Sequence, residues 1–354
     1  MEAKLVLEDG AVFIGKSFGA EIETAGEVVF TTAMTGYPEA FTDPSYFGQI
    51  LVMTYPLIGN YGVPDKTNFQ SGKMQISGLA VTVNCENPSH YQNVKTLSSW
   101  LKENKVPAIE GIDTRALTQL LRSKGTMLGK IILDKNKIDF YDPNKENLVA
   151  KVSVSKPKIF RKNGSKKTVC LLDCGYKRAI LENLLKRGLT VWLTPWDFDP
   201  FGKLSFDGMV ISNGPGDPKV VKKTIAIVRK AIKNKTPVLG ICFGSQILSL
   251  AAGADTYKLK FGHRSLNQPV KDLNSNKCFI TSQNHGFAVN PKSLPSSFKE
   301  WFINLNDGTC EGVISSDGKM MGVQFHPEGC PGPTDTGWIF DEFVDNLKIN
   351  RLRP

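Results

Sequence analysis

A cysteine held between two glycines, in Gly240-Ile-Cys242-Phe-Gly244, is the first residue of this chain that invites chemistry. The run Val238 to Ile241 is short and apolar and reads as a buried strand. Beyond the cysteine, Ile247, Leu248, Leu250 and Ala251 recur at helical spacing, and Gly253 supplies a stop. Small residues on both sides permit a sharp strand-to-helix turn that carries Cys242 to the first turn of the helix. There the helix dipole and free backbone N–H groups favour a thiolate. The backbone N–H of Phe243 is placed to help hold a developing oxyanion. The same segment also reads as a structural cysteine in a tight turn.

A thiol nucleophile needs a base, and the base needs an orienting group. The chain has four histidines. His326 follows the strand-like Lys319-Met-Met-Gly-Val-Gln-Phe and opens His326-Pro-Glu328. In extended backbone, residues two apart point the same way, and Pro327 is expected to keep the segment extended. Glu328 would then hold the imidazole of His326. His285, in Gln283-Asn-His-Gly-Phe, is the second candidate, with a plain loop histidine turned by Gly286 as its simpler reading.

The elements that must position these groups fall into two patterns. From Thr168 onward, strands and helices alternate: Val169 to Asp173, a helix marked by Ile180, Leu181, Leu184 and Leu185, then Thr190 to Thr194, then Gly208 to Ser212. Repeated strand–helix units of this length predict an α/β domain with a mostly parallel sheet covered on both faces. Ligands bind beyond the C-terminal strand ends of such sheets, which places the Gly214-Pro-Gly216 loop and Cys242 on one rim. Residues 1–150 read instead as β-rich, with strands at Lys4 to Leu7, Glu27 to Ala33, Gln49 to Tyr55 and Gly78 to Val83. One clear helix follows, capped by Asp113 or Thr114 and closed by Gly125. Residues 151–167 are polar and basic and read as a linker, leaving 168–354 as the second domain.

Composition narrows the classes further. The 354 residues suggest two domains. Hydrophobic residues make up 41%, without the ~20-residue apolar run of a membrane span, and the first residues lack the apolar core of a signal peptide. A cytoplasmic chain is expected. Seven cysteines at irregular spacing do not form a disulfide framework, and without a CxxC pair no metal site is expected. The net charge of +10 gathers in residues 156–167 and 219–235. In the second stretch Val221, Ile225, Val228 and Ile232 form an apolar stripe, so the lysines read as a solvated helix face rather than a nucleic-acid surface.

The order Cys elbow, then His-x-Glu, in one α/β domain resembles the class I glutamine amidotransferases. Ser212-Asn-Gly-Pro-Gly-Asp-Pro218, Lys260-Phe-Gly-His-Arg, Asn267-Gln-Pro-Val, Thr281-Ser-Gln-Asn-His-Gly-Phe-Ala-Val289 and His326-Pro-Glu-Gly-Cys-Pro-Gly-Pro333 resemble the small, glutamine-hydrolysing subunit of carbamoyl phosphate synthetases. In the first half, Gly26-Glu-Val-Val-Phe-Thr-Thr-Ala-Met-Thr-Gly-Tyr-Pro-Glu-Ala, Thr42-Asp-Pro-Ser-Tyr and Gly111-Ile-Asp-Thr-Arg-Ala-Leu-Thr resemble that subunit's own N-terminal domain. The resemblance implies a β-rich domain followed by a flavodoxin-like amidotransferase domain. It implies that Cys242 attacks the amide of L-glutamine, that His326 shuttles the proton and that Glu328 orients it. Gly214 and Gly216 would lie against the substrate. Phe243, Gln246, Asn284, Gly286 and Phe287 would line the glutamine pocket, and Ser45 would reach it from the N-terminal domain. The ammonia would pass to a large subunit that uses bicarbonate, ATP and Mg to make carbamoyl phosphate for arginine and pyrimidine synthesis. No cofactor is expected on this chain, which has no GxxxxGK[ST] loop. Where the family often carries Leu-Gly-His after the nucleophile, this chain has Phe243-Gly-Ser245. Some relatives lose the cysteine and use free ammonia; here Cys242 is present. The rival readings are a glutaminase for another synthetase, such as those for GMP or anthranilate, and a catalytically silent docking subunit.

Overall fold

The computed structural model describes residues 1–133 and 138–347. It divides into two compact units, Met1–Glu146 with Lys260–Ser265, and Asn147–Leu259 with Leu266 onward. The last residues of the expected second domain, 348–354, lie outside the described residues.

In the first unit seven strands close into a barrel: β1 (Glu2–Leu7), β2 (Val12–Ser17), β3 (Thr24–Thr31), β4 (Gln49–Met53), β5 (Gly78–Ala80), β6 (Ala108–Glu110) and β7 (Met127–Ile132). Their order is β1-β2-β6-β5-β4-β3-β7, with β7 returning to β1. The consecutive neighbours β3, β4, β5 and β6 are parallel and the remaining pairs antiparallel. Period-two alternation sorts their side chains. Leu5, Val28, Ile50, Ala80, Ile109 and Ile131 collect in one core. Val29, Leu51, Leu79 and Ala108 point the other way, under Tyr37, Phe41, Phe69 and Trp100. The helix Thr114–Lys124 is capped by Asp113, whose Oδ1 accepts the Ala116 N–H at 2.8 Å, and it buries Leu117 and Leu121 in the first of these cores. Residues 260–265 complete the unit, the Lys260 carbonyl accepting the Thr126 N–H at 2.8 Å.

The second unit is built on a ten-stranded sheet: β8 (Lys158–Phe160), β9 (Thr168–Asp173), β10 (Thr190–Pro195), β11 (Gly208–Ile211), β12 (Val238–Ile241), β13 (Asp255–Asp272), β14 (Cys278–Asn290), β15 (Phe298–Asn304), β16 (Cys310–Ser315) and β17 (Met320–Val323). The order is β8-β10-β9-β11-β12-β17-β16-β14-β13-β15. Five adjacent strands, β10, β9, β11, β12 and β17, are parallel. They are apolar on both faces. Val169, Leu171, Val210, Leu239 and Met321 pack on the helices Arg178–Lys186 and Trp338–Asn346 through Ile180, Leu184, Phe340 and Phe343. Leu172, Met209, Ile211 and Val238 pack on Lys222–Lys233 and Phe243–Ala252 through Ile225, Val228, Ile247 and Leu248.

Beyond β17 the sheet continues with β16, which pairs antiparallel with β17 and β15. The strand–helix alternation does not signal this half of the sheet, because its strands follow one another without intervening helices. The stretch expected as a linker also carries structure. Its residues 158–160 form the edge strand β8 against β10, and the Val154 N–H donates to Asp173 Oδ2 at 2.7 Å. The basic helix presents the expected solvated face, with Lys223 and Lys230 paired to Asp197 and Asp199 at 3.1 and 2.5 Å. Among the described residues no helix is long and apolar enough to cross a membrane.

Candidate active site

Cys242 stands between β12 and the helix Phe243–Ala252 with φ 54° and ψ −107°. That conformation costs a residue with a Cβ about 1–3 kcal/mol and persists only where the surroundings impose it. They do so here. The Cys242 N–H donates to the Val323 carbonyl at 2.7 Å, and its own carbonyl accepts the N–H groups of Ser245 and Gln246 at 3.0 and 3.3 Å. The flanking glycines let the backbone cross itself closely: a Cβ on Gly244 would meet the Ile211 carbonyl oxygen at 2.1 Å, and one on Gly240 would meet that of Gly244 at 2.4 Å. The thiol therefore sits at the N-terminus of a ten-residue helix whose first N–H groups have no intrahelical acceptor.

His326 leaves the end of β17 with its N–H donated to the Ser282 carbonyl at 2.9 Å. Its Nδ1 meets Glu328 Oε1 at 2.6 Å. An ionised carboxylate only accepts, so Nδ1 carries the hydrogen and Nε2 is the position that can exchange a proton. Nε2 is buried without a hydrogen-bond partner among the described residues, and the charge of Cys242 acts on this ring. The two side chains meet by a different route from the extended one expected: the Gly329 N–H closes a turn onto the His326 carbonyl at 3.1 Å. Pro327 suits a turn as well as an extended segment, because its fixed φ serves both.

Lys177, which spacing and motif did not single out, completes the group. Its Nζ lies 2.8 Å from the same Glu328 Oε1, both side chains almost fully buried. The turn that delivers it is tied down by polar side chains. Asp173 Oδ1 accepts the N–H groups of Gly175 and Tyr176, each at 2.8 Å, and Asn213 Oδ1 accepts the Lys177 N–H at 3.0 Å. The available signal was a lysine just past the C-terminal end of a buried parallel strand, which is weak in a chain with 44 basic residues.

Electrostatics follow from this arrangement. Burial pushes the Glu328 carboxyl up, but Lys177 and then His326 outweigh it and hold the group down at about 2. Burial pushes His326 down, yet Glu328 beside it and Cys242 pull it well above its ordinary value against the opposing charge of Lys177. The site thus favours an imidazolium next to a carboxylate, which stabilises a neighbouring thiolate. Away from the site, burial pushes the Cys170 thiol up to about 12 and that of Cys174 well above its ordinary value.

The remaining expected residues are placed differently from one another. Asn284 reaches the thiol, its carbonyl oxygen 3.6 Å from Cys242 Sγ, and Gln246, on the helix that Cys242 caps, donates its Nε2 to the Phe287 carbonyl at 2.8 Å. Gly286 is half-buried in the same strand β14. Gly214 and Gly216 follow β11; a Cβ on Gly214 would meet the Cys174 carbonyl oxygen at 2.3 Å, and Gly216 has φ +83°. The Phe243 side chain is buried in the core with Ile247 and Leu248, so its backbone N–H, not its ring, is what it can offer a ligand. Ser245 packs against Gly322 of β17. Ser45 belongs to the first unit, in the short turn Pro44–Tyr46, where Asp43 Oδ1 accepts its N–H at 2.9 Å. His285 is on a strand rather than in a loop. Both of its ring nitrogens are engaged, with the Phe287 carbonyl at 2.8 Å and Gln283 Oε1 at 3.1 Å.

The family model of the class I glutamine amidotransferases matches residues 170–346, which defines the class of the second unit. The model of the carbamoyl-phosphate synthase small chain, CPSase domain, matches residues 5–131. The chain is 47% identical to the carbamoyl phosphate synthase small chain of Archaeoglobus fulgidus over 99% of its own length and all of the relative's. It is 49% identical to the multifunctional protein CAD of Squalus acanthias and 46% identical to the human mitochondrial carbamoyl-phosphate synthase [ammonia], over 99% and 98% of its length. It spans only 16% and 24% of those two longer proteins. The chain belongs to the carbamoyl phosphate synthase small chain family and carries a class I glutamine amidotransferase domain.

Proposed function

We propose that this chain hydrolyses L-glutamine to glutamate and ammonia through Cys242, His326 and Glu328. The observation that carries the reading is the buried set at the strand ends: a thiol at a helix N-terminus, and an imidazole whose Nδ1 is fixed on a carboxylate at 2.6 Å, leaving Nε2 for proton transfer. The Cys242 proton passes to His326 Nε2, and the thiolate attacks the side-chain amide carbon. Helix N-terminal N–H groups, that of Phe243 among them, hold the oxyanion. His326 then protonates the leaving nitrogen, the C–N bond breaks, and ammonia departs from a glutamyl thioester. Water attacks the thioester with His326 as base, giving glutamate and the free thiol. Glu328 stabilises the imidazolium at each stage, and Lys177 fixes the carboxylate.

Gln246, Asn284, Gly286 and Phe287, with the backbone at Gly214 and Gly216, would bind the substrate. The partner is an ATP-using large chain that joins the ammonia to bicarbonate as carbamoyl phosphate, the precursor class for arginine and pyrimidine synthesis. The relatives support this: CAD carries the matching region within one longer polypeptide, whereas the Archaeoglobus small chain stands alone. Similarity to the human protein named for ammonia does not argue for ammonia use, because this chain retains Cys242.

Cys242→Ala tests the reading. It should abolish glutamine-dependent carbamoyl phosphate formation by the reconstituted pair while leaving ammonia-dependent formation intact. Glutaminase activity retained in that variant overturns it.

A further inference from the structure

Gln324 is the last residue on the chain before Phe325 and His326, and no part of the mechanism above uses it. It is 1% exposed. Its backbone N–H donates to the Glu311 carbonyl at 2.8 Å, which fixes where the side chain begins. Its Nε2 lies 3.6 Å from Cys242 Sγ, and its Oε1 lies 3.0 Å from Gln246 Nε2.

A side-chain amide can be turned end for end, so which end faces the sulfur must come from its partners. A backbone carbonyl only accepts. The Phe287 carbonyl, 2.8 Å from Gln246, therefore requires the NH₂ end of Gln246. That same NH₂ reaches Gln324, so the end of Gln324 facing it must be the oxygen. The NH₂ end of Gln324 is left pointing at Cys242 Sγ. One carbonyl thus sets the orientation of two consecutive amides, and the last of them aims a donor at the nucleophile.

The sulfur has a contrasting neighbour in the Asn284 carbonyl, also at 3.6 Å. A carbonyl suits the neutral thiol, which can donate to it, and opposes a thiolate. An N–H donor does the reverse. When the S–H bond breaks and the proton goes to His326 Nε2, the negative sulfur loses its use for Asn284 and gains one for Gln324.

We propose that Gln324 is a positioning residue for the glutaminase reaction, holding the Cys242 thiolate through its side-chain N–H and held in turn by Gln246. This rests on Cys242 being the nucleophile, and it assigns the selective stabilisation of the ionised form to one amide. It also ties the nucleophile's readiness to Gln246.

The test is the pH dependence of inactivation by a chloroketone analogue of glutamine, measured on the whole chain with peptide mapping of the labelled cysteine. At saturating reagent the inactivation rate follows the thiolate fraction, separately from binding. Gln324→Met keeps similar volume without a donor. Its inactivation midpoint should move upward by about one pH unit, a tenfold loss of thiolate below the midpoint. Gln324→Glu places an acceptor where the donor was and should move it further. Gln246→Met frees the amide of Gln324 to turn, and should move the midpoint in the same direction by less. If either Gln324 variant melts below the assay temperature, the other and Gln246→Met decide. Midpoints unchanged in the folded variants, with only the maximal rate reduced, overturn the proposal and leave Cys242 as nucleophile. Label found on a cysteine other than Cys242 overturns the glutaminase reading itself.

Discussion

Two strand-to-helix turns of the second unit lie at the C-terminal ends of parallel strands, and they handle their polar groups in opposite ways. After β9, the Asp173 carboxylate accepts three backbone N–H groups, from Val154, Gly175 and Tyr176, and Asn213 accepts a fourth from Lys177. After β12, the turn at Cys242 has no side-chain cap and a backbone torsion that a Cβ dislikes. One turn binds its backbone donors to buried side chains; the other carries a strained torsion without such a cap. The first holds Lys177 on Glu328, so the capped turn supports the group proposed to act with the thiol of the uncapped one. Unsatisfied groups and unusual torsions in a well-packed sheet mark where ligands or reacting atoms belong.

The comparison breaks most decisively at His326. His326→Asn should lower glutamine turnover by about 10²–10⁴-fold, because the proposed proton carrier is lost. Asp173→Asn in the other turn should leave kcat within a few-fold while lowering the stability of the chain by about 1–3 kcal/mol, since it keeps one acceptor oxygen but brings an NH₂ against a backbone donor. Glutaminase rates beside urea unfolding curves measure both. A large kcat loss in Asp173→Asn would remove the distinction between the turns.

Next in size is the buried pair that joins them. Lys177→Met leaves Glu328 charged and without that cation, and should cost about 3–5 kcal/mol. The double variant Lys177→Met/Glu328→Gln should cost less than the two single losses added together, because no buried charge is left alone. The carboxylate's contribution has a defined pH window. Glu328 is held at about 2 against an ordinary 4.5, so between those values the folded state binds fewer protons than the unfolded. Its stabilisation is fully present above pH 4.5 and fades as pH falls toward 2. The stability gap between the wild-type chain and Glu328→Gln should shrink over that range; a gap independent of pH would show that the carboxylate's charge is not what holds the site.

The smallest effect concerns strain. Glycine adopts the Cys242 torsion freely, so Cys242→Gly should be more stable than Cys242→Ala by about 1 kcal/mol, reversing the usual order at the edge of a helix. Thermal melts of the two inactive variants suffice. Alanine equal to or better than glycine would mean that the turn relaxes and no strain is held there.

What the sequence disclosed followed from periodicity and small-residue spacing. The helix Thr114–Lys124 and its Asp113 cap, the strands β9 to β12 and the elbow at Cys242 all carry local signals, and the structure places them there. The antiparallel half of the second sheet does not announce itself, because β14 alternates irregularly and its buried residues from Thr281 to His285 are polar. Lys177 and Gln324 were invisible for a related reason. Each matters through a partner distant in sequence, Glu328 for the one and Gln246 for the other, and no residue type or spacing encodes that meeting. Phe243 shows the converse: its position after the nucleophile was legible, but the burial of its ring depends on strands and helices elsewhere.

The return of residues 260–265 to the first unit bears on how the molecule is made. Residues 1–146 leave the ribosome first, yet the Thr126 N–H finds its acceptor, the Lys260 carbonyl, only when roughly a hundred further residues have been added. At about 5–20 residues per second that is a delay of ~5–20 s, long compared with the folding of a small domain. The barrel strands, all within residues 2–132, can close meanwhile, but the Thr126 N–H must wait for its acceptor while most of the residues between are translated. A chain ending between residues 146 and 260 should show faster hydrogen exchange at the Thr126 amide than one that includes residues 260–265.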